Sequence, residues 1–299
     1  MNNMNNKLII ITGATGVGKT KISMDIAKMF NGEIINADAS QFKRDLNIGT
    51  AKTDYKNTSI PHHLFDIIDC DEVYSIHDYQ IDARKLIDEI FNKGKTPILV
   101  GGSGLYINSV IYDYDLSSNV NVDESLYDDL SNDELYNELL KLDDNTNIEK
   151  NNRRRVIRAL ELAKSGKKIS ENVCDDEPIY DCIGICLDTN REILYNRINK
   201  RVLDMINSGW IDECKGLLKK EINVKRITDI GYQEIFMYIN GEISLDKAIE
   251  DIQKKTRHFA KRQMTWFRNK MDLEFIEVDY NDYSKTINRI RDFINSKFR

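Results

Sequence analysis

Gly13-Ala14-Thr15-Gly16-Val17-Gly18-Lys19-Thr20 is the stretch whose reading decides the fold. It matches the pattern G-x-x-x-x-G-K-[ST] at every fixed position. Just before it, Lys7 to Thr12 is a short β-rich run. Just after it, Thr20 to Phe30 carries Ile22, Ile26 and Met29 at helical spacing. A chance glycine turn has no reason to sit between a strand and a helix. Glycines let successive backbone N–H groups converge on an anion, and the following helix aims its N-terminal dipole at the same point. Lys19 adds a point charge for the terminal phosphate, and the Thr20 hydroxyl is placed to hold Mg²⁺. The motif therefore predicts a site for a di- or triphosphate.

Working outward, Gly32 breaks the first helix, and Glu33 to Asp38 reads as a second buried strand ending in a carboxylate. Ser75-Ile76-His77-Asp78 is a capping box opening a helix to about Asn92. Pro97 to Val100 is another all-apolar strand, and Gly101-Gly102-Ser103-Gly104 leads into a further helix. Continuous apolar strands alternating with helices imply a parallel sheet covered on both faces, an α/β fold. Strand character returns at Tyr180 to Leu187. A long helix capped at Thr189-Asn190-Arg191-Glu192 then runs to Ser208 and stops at Gly209. A second long helix spans Ser244 to about Met271, followed by a last strand (Leu273 to Val278) and a closing helix.

Between these halves the pattern changes. Asp113 to Glu149 holds twelve acidic residues against Lys141 alone, whereas Lys150 to Lys168 holds eight basic residues against Glu161. This region reads as helical, with a capping box at Ser131-Asn132-Asp133-Glu134. The chain thus divides into a catalytic core with C-terminal helices, residues 1–112 and 179–299, and a helical insertion, residues 113–178.

Of the 299 residues, 41% are hydrophobic and 31% charged, which excludes a disordered tail or a fibre. No apolar run approaches the roughly 18 residues a membrane span needs. The opening Met1-Asn2-Asn3-Met4-Asn5-Asn6 has no basic region of the secretory kind. Cys70, Cys174, Cys182, Cys186 and Cys214 form no C-x-x-C pair, so they read as buried thiols in a reducing cytosol rather than a metal site. A cytoplasmic location, no membrane partner and a monomer are expected.

Asp38 stands where the second strand approaches the phosphate loop. The spacing suits it either to assist Mg²⁺ or to act as a base toward a second substrate. The net charge of −6 argues on average against a nucleic-acid partner, but the cations are clustered. Arg153, Arg154, Arg155 and Arg158 put at least two guanidinium groups on one helical face, suited to bidentate phosphate contacts or to a solvated surface. Lys254, Lys255, Arg257, Lys261, Arg262, Arg268 and Lys270 form a second cluster, interleaved with Phe259, Trp266 and Phe267. That aromatic stripe reads more readily as core than as a base-stacking platform. Two basic patches on an acidic chain suggest a polyanion held locally. His62-His63, after Pro61, lacks matching ligands and reads as hydrogen-bonding rather than metal-binding. His77 and His258 fall inside helices.

Taken in order, these motifs resemble one family, the tRNA dimethylallyltransferases or tRNA isopentenyl transferases, over nearly the full chain. The resemblance is carried by Gly13 to Thr20, Asn36-Ala37-Asp38-Ala39-Ser40-Gln41, Ile48 to Lys52 and Pro61 to Leu64. It continues through Leu99 to Tyr106, Arg153 to Glu161, Ile230-Gly231-Tyr232 and Ala260 to Arg268. It implies a P-loop nucleoside-triphosphate-hydrolase-like sheet. It also implies transfer of a dimethylallyl group from its diphosphate to the exocyclic amine of adenosine 37 of tRNA, with Mg²⁺. Gly13, Ala14, Thr15, Gly16, Val17, Gly18, Lys19 and Thr20 would bind the diphosphate leaving group, with Thr20 on the metal. Asp38 would take the proton from the attacking amine, Lys19 would stabilise the leaving group, and Ser103 would orient one or the other through its hydroxyl. Asp38, Ala39, Ser40, Gln41, Ser103, Arg154, Arg155, Val156, Ile157 and Arg158 would contact tRNA. The chain departs from the family at Ala39 (usually serine), Ser103 (usually threonine) and Asn152 (commonly aspartate). At Tyr127, a few residues after Asp123, a tRNA-contacting arginine is usual; a tyrosine there could stack but not pair with phosphate.

Similar chemistry would serve an adenylate dimethylallyltransferase, which needs neither basic cluster. A nucleotide kinase with the insertion as its lid would consume ATP. An idle tRNA-binding protein would have no use for Lys19, Thr20 and Asp38 together.

Overall fold

The computed structural model describes residues 7–114, 116, 124–171, 177–220 and 222–298; Cys174 and Asp123 lie outside them. The apolar run after Lys7 forms β1 (Lys7–Gly13), in which Leu8, Ile9, Ile10 and Ile11 are buried. It can be apolar on both faces because both are covered. The other strands are β2 (Gly32–Asn36), β3 (His62–His63), β4 (Thr96–Val100), β5 (Asp181–Asp188) and β6 (Glu274–Glu277). They make one six-stranded sheet in the order β3-β2-β4-β1-β5-β6. Every neighbouring pair is parallel, with Ile9 opposite Ile98 on one side and Ile183 on the other. Truncating a side chain such as Ile9 to alanine in this setting costs about 2–5 kcal/mol.

Helices α1 (Lys19–Met29), α2 (Ile76–Asn92) and α3 (Gly104–Ile111) follow β1, β3 and β4. The Ser75–Asp78 box caps α2 reciprocally, as its sequence requires. In parallel α/β sheets ligands gather at the carboxyl ends of the strands. Here those ends deliver Gly13, Asp38 and the Gly101–Gly104 turn.

After β5 come α6 (Arg191–Asn207), α7 (Trp210–Leu218), α8 (Tyr232–Ile239), α9 (Leu245–Lys270) and, after β6, α10 (Tyr283–Lys297); α4 and α5 belong to the intervening insertion. Asn190 caps α6, its side chain accepting from the Glu192 N–H at 2.8 Å. Gly209 does stop α6, but its left-handed φ of 97° turns the chain straight into α7. Neither α7 nor α8 was expected. At nine and eight residues both are too short to announce themselves by periodicity, and they are held by a shared core of Trp210, Tyr232, Ile235 and Ile252.

The chain separates into two compact units, one formed by residues up to Ile111 with those from Tyr180 on, the other by Tyr112–Ile179. In the second unit the Ser131–Glu134 box caps α4 (Asn132–Leu142), which pairs with α5 (Arg153–Lys164). Its core is Tyr127, Leu135, Leu139, Ile148, Val156, Ile157 and Leu160. Among the described residues no helix is long and apolar enough to cross a membrane.

Candidate functional site

Gly16 (φ 83°) and Gly18 (φ 110°) hold the left-handed backbone that wraps the loop between β1 and α1, and Gly18 is the helix cap. Ala14 and Val17 turn their side chains into the core, 1% exposed each, so they offer a ligand only backbone. The Lys19 ammonium lies over the loop, donating to the carbonyls of Gly13 (2.8 Å) and Ala14 (3.1 Å). The Thr15 N–H donates to the side-chain oxygen of Gln263 on α9 at 2.9 Å, and Thr15 lines the loop-side cavity.

Asp38 sits two residues past β2. Its N–H donates to the Asn36 side chain (2.9 Å), which in turn donates to the Leu64 carbonyl (2.9 Å), fixing the exit from the strand. Its carboxylate caps a short 3-10 turn, Ala39–Phe42, by accepting from the Ser40 N–H at 3.3 Å. Asp38 and Lys19 keep some surface in the cavity and are otherwise enclosed by protein. Burial pushes the Asp38 carboxyl above its ordinary range, against the pull of Lys19. Burial pulls Lys19 down to about 8, against the pull of Asp38.

Two cavities meet here. One of about 450 Å³ is lined by Gly16, Gly18, Lys19, Thr20 and Gln41. The other, of about 400 Å³, is lined by Ser40, Ser103 and an apolar wall of Ile198, Val202, Met205, Trp210 and Phe259. Thr15, Asp38, Thr50 and Arg201 line both. A charged loop at one end, an apolar wall at the other and a carboxylate between them suit a ligand with a polyanionic head and a short hydrocarbon tail.

Arg201 was not anticipated. Arg197, Lys200 and Arg201 line the loop-side cavity from α6, and Arg197 donates to the Gly16 carbonyl at 2.9 Å. The Arg201 guanidinium makes no hydrogen bond or ion pair among the described residues, and its burial lowers its pKa against the pull of Asp38. An enclosed guanidinium of this kind calls for an anion. The available signal was the i, i+4 spacing of Arg197 and Arg201 in the helix after β5. Asp229, also missed, lines the second cavity with one oxygen on Lys43 at 2.8 Å.

Ser103 opens α3 beside Asp38, its N–H donating to the Ala37 carbonyl at 3.3 Å. Gln41 lines the loop-side cavity, its amide donating to the Thr50 carbonyl at 3.3 Å. Ala39 and Ser40 line the second cavity. For Mg²⁺, Thr20, Asp38 and Asp204 border one cavity. Among the described residues no cluster of three or more His, Cys, Asp or Glu could hold a metal by itself. That donor set fits Mg²⁺, which takes one or two protein oxygens, substrate phosphates and water rather than an all-protein cage.

In the helical unit, Arg154, Arg155 and Arg158 are exposed on α5. Val156 and Ile157, expected with them at the RNA, are instead core residues, 0% and 1% exposed. Their side chains hold the helix that carries the arginines. Arg153 is structural too, donating to the Leu130 carbonyl at 2.8 Å. Tyr127 is 6% exposed and bonded to Glu161 and Lys164, so it offers no stacking face. Asn152 supplies the α5 cap, accepting from the Arg155 N–H at 3.4 Å.

The α9 cluster is divided. Lys255 pairs with Glu234, Arg268 with Asp188, and Arg257 donates to Asn199. Phe267 is core, but Phe259 lines the Asp38 cavity. His63 pairs with buried Glu33 at 2.7 Å, and His62 bonds to the Ile60 carbonyl. Cys70, Cys182, Cys186 and Cys214 are unbridged; Cys182 is half-buried rather than buried.

The sequence model of a family described as IPP transferase matches residues 41–270. A tRNA dimethylallyltransferase of Lactococcus lactis subsp. lactis (strain IL1403) is 42% identical over 298 residues, covering 97% of this chain and 99% of its own length. One from Streptococcus agalactiae serotype Ia is 42% identical with the same coverage. The crystal structure of the full-length tRNA isopentenylpyrophosphate transferase of Bacillus halodurans superposes with a TM-score of 0.76 at 39% identity, covering 98% of this chain and 97% of its own. That of a eukaryotic dimethylallyltransferase acting on tRNA gives 0.83 at 31% identity, covering 97% and 80%.

Proposed function

The chain belongs to the IPP transferase family, and from that premise we propose that it is a tRNA dimethylallyltransferase acting on the exocyclic amine of adenosine 37, beside the anticodon. The observation that carries the reading is the junction of the two cavities at Asp38, between the phosphate loop with Lys19 and the apolar wall of Val202, Met205 and Trp210. Dimethylallyl diphosphate has the matching form: a diphosphate head for the loop and a five-carbon tail for the wall.

In this reading the adenine leaves its stack, which an anticodon loop makes inexpensive, and enters beside Asp38 and Ser103. The N6 nitrogen forms a bond to C1 of the prenyl group as the C1–O bond breaks. The Asp38 carboxylate accepts the N6 proton, and the electron pair of the broken bond leaves on the diphosphate. The amides of the loop, Lys19 and Arg201 hold the charge that grows there. Mg²⁺, held by Thr20 and the diphosphate, would neutralise part of that charge. Ser103 orients the amine or the leaving group, and Gln41, with Ala39 and Ser40 beside it, faces the base or its neighbour. Arg154, Arg155 and Arg158 grip RNA phosphates.

Incubation with unmodified tRNA, dimethylallyl diphosphate and Mg²⁺, followed by nucleoside mass spectrometry, tests the reading. It expects N6-(dimethylallyl)adenosine in the tRNA, no modified AMP in a parallel reaction and no ATP consumed. Prenylated AMP or phosphoryl transfer from ATP would replace it with one of the other two enzymes.

A further inference from the structure

The phosphate loop and the Ser103 turn come from different strands, yet one side chain spans them. Gln263, on α9, is 5% exposed and has both ends of its amide satisfied. Its oxygen accepts the Thr15 N–H at 2.9 Å, and its NH₂ donates to the Gly102 carbonyl at 2.9 Å. The orientation of the amide is fixed by its partners, since Thr15 offers only a donor and Gly102 only an acceptor. A Cβ at Gly102 would stand 2.3 Å from the amide nitrogen and 3.6 Å from the Lys19 nitrogen, so glycine is required for the approach. One turn further along α9, Trp266 packs on the same segment, where a Cβ at Gly104 would meet its ring at 2.2 Å. Buried Ala260, Met264 and Phe267 anchor the helix on the core.

We propose that Gln263 is a positioning residue for the transfer, setting the spacing between the loop that receives the diphosphate and the turn that presents Ser103. The inference rests on the prenyl-transfer reading above. In a displacement the leaving group and the nucleophile must lie in line, and a misplacement of about 1 Å can cost about 10²-fold in rate. The loop after β1 and the turn after β4 are the two pieces whose relative position sets that line. Gln263 also occupies the Thr15 N–H, which leaves the later amides of the loop for the anion.

Steady-state kinetics on the intact chain with tRNA and dimethylallyl diphosphate test this. Gln263→Met keeps length and packing but loses both hydrogen bonds. Its kcat should fall about 10–100-fold, with tRNA Kd within about twofold of wild type. Gln263→Glu keeps the acceptor for Thr15 but has no donor for the Gly102 carbonyl. Its kcat should fall as well while its affinity for inorganic diphosphate and its Tm stay near wild type, a split that a purely structural role would not produce. Wild-type kcat in Gln263→Met, a loss confined to tRNA affinity, or a kcat loss in Gln263→Glu matched by lost diphosphate affinity and a lower Tm would each overturn the assignment. If the methionine variant fails to fold, the glutamate variant decides. Wild-type protein that prenylates no tRNA would sink the reading beneath the proposal, and the proposal with it.

Discussion

Lys19 and Asp38 share one cavity and are displaced from their ordinary ionisation in opposite directions, the ammonium down to about 8 and the carboxyl upward, both chiefly by burial. Each opposes the other's shift, because each is the other's strongest opposite charge. A base with raised pKa is a stronger proton acceptor once ionised. A lysine poised near 8 returns to full charge when a polyanion arrives.

The pH dependence follows from those signs. Asp38 must be ionised to accept a proton, so kcat/KM for dimethylallyl diphosphate should rise through a pKa above the usual carboxylate range. Lys19 must be charged to meet the diphosphate, so the same profile should fall above about 8. Bound diphosphate favours the ammonium, so the alkaline limb of kcat should lie higher than that of kcat/KM. Coincident alkaline limbs would remove Lys19 from the anion site.

Replacing Asp38 by alanine should lower kcat by about 10² or more, the scale of a lost general base, with tRNA affinity little changed. The paired measurement is single-turnover transfer and filter binding on one preparation. Turnover near wild type would assign proton removal to another group.

The motif from Gly13 to Thr20 announced itself because its chemistry is written in contiguous residues. Asp38 and Ser103 were legible for a related reason: each follows a strand, and parallel strands bring their carboxyl ends together. Arg201 and Gln263 were not, because their roles arise where α6 and α9 meet the loops at the strand ends, a meeting that no local spacing encodes. Val156 and Ile157 went astray in the opposite way. They lie inside an arginine-rich string, and only the 3.6-residue period of α5 separates the residues that face the core from those that face outward.

Arg201→Ala should raise the KM for dimethylallyl diphosphate and lower kcat, since the enclosed guanidinium makes no hydrogen bond or ion pair among the described residues. A charged hydrogen bond of this kind contributes about 1.5–3 kcal/mol, or roughly 10–100-fold. Arg201→Lys should recover only part of it, because a point charge does not reproduce the planar fork. Titration with inorganic diphosphate in place of the prenyl substrate checks the anion contact directly. Unchanged affinity for diphosphate would assign Arg201 to another partner.

The arginines of α5 should separate by burial. Arg154→Ala with Arg158→Ala removes two exposed cations from a capped helix and leaves its core intact, so the fold should persist while tRNA binding weakens. If both meet phosphates, the slope of log K against log salt should fall by about 1.4–1.8, near 0.7–0.9 for each contact. Arg153→Ala should behave differently. It deprives the Leu130 carbonyl of its donor, so its effect should appear as a lower Tm of the helical unit at every salt concentration. A salt slope unchanged in the double variant would show that these side chains do not meet RNA phosphate. A reduced slope in Arg153→Ala would assign the contact to the residue that the fold uses as a strut.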